Sequence, residues 1–348
     1  MPNILPMMMG AAGAGGGGAT IWGWGYNWTG GLGVGDTTNY SSPQQIGSLT
    51  DWPSSTDRAD GIKVQHGYGT SGAIKDDGTL WMWGLNTEGA VGDGTTTNRS
   101  SPVQIGSLTD WSYLSIGALA GAIKTDGTLW MWGDNGDGEL GDGTTTNRSS
   151  PVQIGSLTTW AKVACGQANA FAVKTDGTVW SWGIGTKGAL GDGTTTSKSS
   201  PVQIGSLTTW STITASIYGG MSVKTDGTLW GWGYNEFGGL GQGNSANVSS
   251  PVQVGSLTDW SKAKMGLQHT GAIKTNSTLW MWGRGDSGQV GAGDATQTNN
   301  SPIQIGSLTT WSKLIINPQN GVGGLGSSGA IKTDGTLWVW GDNSKGEL

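Results

Sequence analysis

The sequence predicts an all-β fold, a single β-propeller of four-stranded blades, and three observations predict it. A Trp-x-Trp-Gly signature recurs seven times, starting at Trp22, Trp81, Trp130, Trp180, Trp230, Trp280 and Trp338. Successive copies start 59, 49, 50, 50, 50 and 58 residues apart, a period that signals repeated supersecondary units. Each unit reads as four short β-prone runs separated by turn residues, with no helical periodicity, which is what a propeller blade requires. The 348 residues alone point to two or three domains, but the repetition overrides that prior. We therefore expect one propeller over residues 21–348, of six or seven blades.

Residues 1–20 carry an Ala/Gly tract that holds no single backbone conformation cheaply, so this segment reads as a flexible linker. Ile4, Leu5 and Met7 to Met9 ahead of the tract form an apolar plug that is able to dock on another subunit. Gly13, Gly15 and Gly18 match G-x-G-x-x-G formally, but neither a strand nor a helix pattern flanks them, and no dinucleotide site follows.

Within a unit, Gly-Ala-Ile-Lys, Thr-Asp-Gly-Thr and Leu-Trp-Met-Trp-Gly (121–133) are two strands, B and C, around an Asp-Gly turn. Period-two alternation sets Trp130 and Trp132 on one face of strand C, with Leu129 and Met131 on the other. Two indoles on one face need a neighbouring unit to bury them. A loop follows, then strand D, headed by Pro43, Pro102, Pro151, Pro201, Pro251 or Pro302; proline suits an edge or a first strand position. After a Gly-Ser-Leu-Thr turn, strand A follows Trp52, Trp111, Trp160, Trp210, Trp260 or Trp311. The part of each unit before this second Trp is 30 or 31 residues long, so length variation falls in insertions near 53–61 and 317–327. Counting gives six A, six B, seven C and six D strands, which is six blades and one strand more. The first copy begins at C and the last ends at C, so the two ends are expected to complete one blade together.

Composition excludes several functions. The net charge is −6 with no cluster of Lys or Arg, which removes the electrostatic footprint of a nucleic-acid binder. No run of about 18 apolar residues is present for a transmembrane helix, and the N-terminus lacks the cationic region of a secretory signal. Cys165 is alone, which rules out an internal disulfide. His66 and His269 lie far apart without a recurring Ser, Cys or acidic partner, so no triad is assembled. Asp134, Asn135, Asp137 and Glu139 lack the spacing and distal Glu of a calcium loop. No catalytic residue, metal or cofactor is expected. Arg284-Gly285-Asp286-Ser287 spells an adhesion tripeptide at an ordinary loop position, and Asn27, Asn98, Asn147 and Asn247 head glycosylation sequons.

Leu-Trp-Met-Trp-Gly-Asp-Asn-Gly-Asp-Gly-Glu-Leu-Gly-Asp-Gly-Thr (129–144), Ser-Pro-Val-Gln-Ile-Gly (150–155) and Ala-Ile-Lys-Thr-Asp-Gly-Thr (122–128) resemble the regulator-of-chromosome-condensation repeat family over about residues 20–348. The resemblance implies a propeller, usually of seven blades, that serves as a protein-binding platform; a nucleotide exchange factor for a small GTPase is one member. The family's Gly-x-x-His-Thr element is matched only by 266–270, and neither insertion looks like an exchange-factor wedge. Near-identical Gly/Thr/Ser-rich units look like the bacterial and bacteriophage members.

Positions that differ between units mark the expected binding surface, because recognition groups sit on loops over a rigid scaffold. They are Tyr26, Asn27 and Trp28, then Tyr234, Glu236 and Phe237, then Arg284, all just after a Trp-x-Trp-Gly. His66, Tyr68, Tyr218 and His269 lie between strands A and B, as do Gln268 and residues 317–326. The expected function is a non-catalytic recognition module on a phage virion or bacterial surface, holding a protein or glycan. The alternative is an intracellular exchange factor for a small GTPase, in the cytoplasm.

Overall fold

The computed structural model describes residues 7–11, 20–48, 51–53, 57–58, 61–266, 268–293, 298–316 and 326–342. Five sheets are complete blades of four antiparallel strands, each in the order A-B-C-D. The third is representative: Trp111–Ile116, Leu119–Lys124, Leu129–Gly133 and Arg148–Gln153. The second (64–104), fourth (160–203), fifth (214–253) and sixth (260–304) repeat it. The seventh sheet holds strands A to C alone: Trp311–Ile316, Ser327–Lys332 and Leu337–Gly341. The first sheet joins Thr20–Gly25 and Tyr40–Gln45, a C and a D strand, to Met7–Ala11. The sole helix among the described residues is one 3-10 turn, Thr186–Gly188.

The all-β propeller of four-stranded blades is thus as expected, and the repeat-derived strands are six blades' worth and one more, spread over seven sheets. Three details differ from the sequence reading. Met7–Ala11 is not linker: Met7 pairs with Trp24 and Met9 with Trp22, the edge that strand B takes in every complete blade. Among the described residues the two ends do not share a sheet: Met7–Ala11 fills that edge of the first C strand and Leu337–Gly341 fills the edge of the last B strand. The prolines also sit deeper than expected, fourth of six residues in Arg148–Gln153, and the outer-edge position is what tolerates them.

Sheet-to-sheet packing makes the core. Leu129 and Met131 of the third sheet pack on Trp160, Val163, Ala172 and Trp182 of the fourth, all buried. The second indole of five signatures reaches back across the seam: Trp132 Nε1–H donates to the Ala90 carbonyl at 2.9 Å and Trp182 to that of Glu139 at 2.7 Å, and Trp83, Trp282 and Trp340 do likewise. Gly133 ends its strand at φ +106°, where an added Cβ would lie 3.0 Å from Leu119 Cα. Inside each blade, a strand-B lysine is sandwiched between two indoles. Lys124 Nζ stands 5.1 Å from the Trp111 ring centre and 4.5 Å from that of Trp130, an arrangement repeated at Lys75, Lys174, Lys224, Lys274 and Lys332. The A strands surround a central channel of about 130 Å3 whose wall includes Ser115, Val163, Cys165, Thr214 and Met265. Cys165 is buried there, and burial pushes its thiol up to about 12, so it is an inert core residue.

Candidate interaction face

The loop after strand C and the turn between strands A and B are tied together at one end of each blade. Tyr234 N–H donates to the Tyr218 carbonyl at 2.8 Å, and Arg284 N–H to that of Gln268 at 2.8 Å. This end gathers nearly all the varying residues on one face.

The loop itself is closed by an asparagine. In Asp134–Gly143 the Asn135 side chain accepts from Leu140 N–H at 2.9 Å and donates to the Thr144 and Thr146 carbonyls, while its own N–H donates to Asn147 Oδ1 at 2.8 Å. Asn86 and Asn235 repeat the pattern. Asn27 does the same work: it is fully buried and bonded to Leu32, Asp36 and Asn39, so it is a loop closure and unavailable to a partner. A recurring Asn after each Tyr/Leu/Asp was the signal for it.

Both histidines are also scaffold. His269 is buried, its Nε2 2.9 Å from Ser328 Oγ, which donates to the Gln289 carbonyl at 2.9 Å. Because that hydroxyl's proton is spent, Nε2 carries the hydrogen of the His–Ser bond. Burial pulls this imidazole down to about 4. His66, half-buried on the wall of the central channel, makes the same kind of bond, with Nδ1 2.6 Å from Ser71 Oγ, which donates to the Gly31 carbonyl, and its pKa is pulled by burial to about 3. Both are neutral seam residues, and nothing joins them into a catalytic pair. Tyr68 is half-buried at the rim of the central channel. Among the described residues no group of three or more His, Cys, Asp or Glu is placed to hold a metal ion.

The remaining predicted residues come together in two places. Trp28 is 65% exposed and stacked on Tyr26, with ring centres 6.0 Å apart and planes at 26°. Across the fourth to sixth sheets a second group forms one strip. Tyr218 and Tyr234 rings are 6.4 Å apart and Tyr234 and Phe237 6.3 Å, both edge-on. Arg284 caps the strip at one end, its Cζ 5.1 Å from the Phe237 ring, with Nη1 on Gln268 Oε1 at 2.6 Å and an ion pair to Asp286 at 2.7 Å. The adhesion-like tripeptide is therefore closed on itself. The Tyr234 hydroxyl donates to Glu236, which together with burial raises the phenol to about 12. At the other end stands Lys187, Nζ 4.1 Å from the Tyr234 ring centre, a residue the sequence reading missed because an isolated Thr-Lys-Gly carries no aromatic signal. The insertion at 317–325 lies outside the described residues.

The chain matches the RCC1-like domain family over residues 20–348. It is 38% identical over 88 residues, 24% of its length, to the X-linked retinitis pigmentosa GTPase regulator of Mus musculus, and covers 8% of that protein. Its fold is similar to yeast RCC1 (Prp20) bound to Kap60, with a TM-score of 0.77 at 17% identity over 99% of this chain and 81% of that one. Prp20p of Saccharomyces cerevisiae, described with its binding to Gsp1p and histones, superposes with a TM-score of 0.76 at 18% identity, covering 93% and 81%. Human WBSCR16 gives 0.71 at 20% identity, covering 82% and 76%.

Proposed function

Since the chain belongs to the RCC1-like domain family, we propose that it is a non-catalytic protein-binding platform whose partner docks on the strip formed by Tyr218, Tyr234 and Phe237. The observation that carries this reading is the strip itself: adjoining aromatic rings, edged by Arg284 and Lys187, with Tyr234 and Phe237 on a loop closed by the buried Asn235 amide. Tyr, Phe and Arg held rigid at a surface are the composition of an interface hot spot, and rigidity lowers the entropy that binding must overcome. Within that reading, a small GTPase is the favoured partner. The mouse relative is a GTPase regulator and the Saccharomyces structure is described with binding to Gsp1p. This regulator reading replaces the virion or bacterial-surface role, for which the near-identity of the units is the sole support, and it leaves no role for a glycan.

The test is nucleotide release from a panel of small GTPases loaded with a fluorescent GDP analogue, alongside complex formation by gel filtration. The platform reading expects one GTPase to bind and Tyr234→Ala with Phe237→Ala to abolish the complex. No complex with any member ends the GTPase reading; a complex that survives the double substitution ends the assignment to this face.

A further inference from the structure

We propose that Lys187, seated on the Tyr218 and Tyr234 rings, is the receptor for an acidic side chain of the docking partner, so that the strip selects an acidic segment. The proposal rests on the protein-binding reading above and specifies its chemistry.

Lys187 is exposed, and no ion pair with it occurs among the described residues, whereas the strip's other charges are answered internally: Arg284 by Asp286 and Glu236 by the Tyr234 hydroxyl. Its ammonium lies 4.1 Å from one tyrosine ring centre and 5.4 Å from the other. Two rings beneath it fix its position and shield one side from water, while its donors remain directed outward.

The chain pays for this placement in three ways. Lys187 has φ +60°, one of two such non-glycine residues among those described. The other, Ser277, stands in a turn where the sibling units have Gly78, Gly127, Gly177 and Gly227 at positive φ, so a lost glycine accounts for it. No such account serves Lys187, whose counterparts Thr29, Glu88, Asp137, Phe237 and Ser287 all have ordinary φ. Second, Gly185 replaces the closing asparagine, as Gly285 does in the sixth unit, and here Ser197 Oγ accepts the Gly185 N–H at 3.2 Å instead. Third, the Trp232 indole N–H has no acceptor, whereas Trp83, Trp132, Trp182 and Trp282 each donate to the preceding loop. Three departures from a repeated scaffold, all in the loop that presents one unpaired cation, are a strain that a binding role explains.

The test screens the whole chain against phage-displayed random peptides, then measures affinities of selected peptides. The proposal expects enrichment of Asp and Glu, a loss of about tenfold in affinity for Lys187→Met, and a swap toward Lys and Arg for Lys187→Glu. Selected peptides without acidic enrichment, no peptide selected at all, or an unchanged affinity in Lys187→Met overturns it. Either result leaves the GTPase assay free to succeed, so the two readings fail separately. Lys187→Gly relieves the backbone and is expected to keep or raise Tm while losing the acidic peptides; a lower Tm with peptide binding retained marks a purely structural loop and equally overturns the proposal.

Discussion

Glu139 and Gln289 occupy the same loop position in two units and do the same work, the one accepting Asp137 N–H and the other Ser287 N–H, each at 2.8 Å. The difference is charge. Burial first, then the nearby Asp134 and Asp137 carboxylates, raises Glu139 from 4.5 to about 7. A raised carboxyl pKa means that the folded state holds a proton the unfolded state has lost, so stability is full below about 4.5 and falls as pH rises to about 7. Glu139→Gln is accordingly expected to gain on the order of 1–3 kcal/mol at pH 8 and little at pH 4. Urea denaturation at both pH values checks this, and equal effects at the two would refute it. Ser277→Gly is expected to stabilise by about 1 kcal/mol by removing a left-handed conformation from a residue with a Cβ; an unchanged urea midpoint would count against the strain. Individual roles of this kind were poorly legible in the sequence. Asn27 and His269 are polar residues on varying loops, and it took the bonds of Asn27 to Leu32 and of His269 to Ser328 to turn them inward.

At the scale of the element, the blade was largely legible. Alternation in Leu-Trp-Met-Trp-Gly and the Asp-Gly turn set strands B and C, and Trp132 is fully buried as a two-faced strand between neighbours demands. Trp132→Ala is expected to cost about 3–5 kcal/mol in equilibrium unfolding; a loss below about 1 kcal/mol would contradict its burial. The lysine sandwich was not legible, because it joins strand B to indoles of strands A and C. It varies in one respect: Lys75, Lys124 and Lys274 pair with Asp51, Asp110 and Asp259 at 2.9, 3.5 and 3.4 Å, whereas Thr159, Thr209 and Thr310 hold that place elsewhere. Thr209→Asp is expected to add up to about 1 kcal/mol, the scale of a partly exposed ion pair, less at high salt. A destabilised Thr209→Asp would show that the Lys224 ammonium is already satisfied by its two indoles.

Across the whole molecule, the repeated scaffold and the varying loops occupy separate parts of each unit, and a recognition role for the loops is testable. Trp28→Ala, Tyr234→Ala and Phe237→Ala are expected to weaken partner binding while shifting Tm little, since Trp28 stacks on Tyr26 and Tyr234 packs on Phe237 at the loop face; a large fall in Tm with binding intact would assign them to the core. The sequence by itself determined the architecture, because hydrophobic periodicity, turn chemistry and a 50-residue repeat are local properties that each copy states again. It also determined which loops vary. Only the tertiary structure decided that Met7–Ala11 fills the strand-B edge of the first sheet, and that Asn27, His66 and His269 face the scaffold. Only it joined Lys187, Tyr218, Tyr234, Phe237 and Arg284, from three successive units, into one strip. The physical reason is distance along the chain: edge pairing, seam hydrogen bonds and ring contacts link residues up to 59 positions apart, and a period read within one unit carries no information about which neighbour meets it.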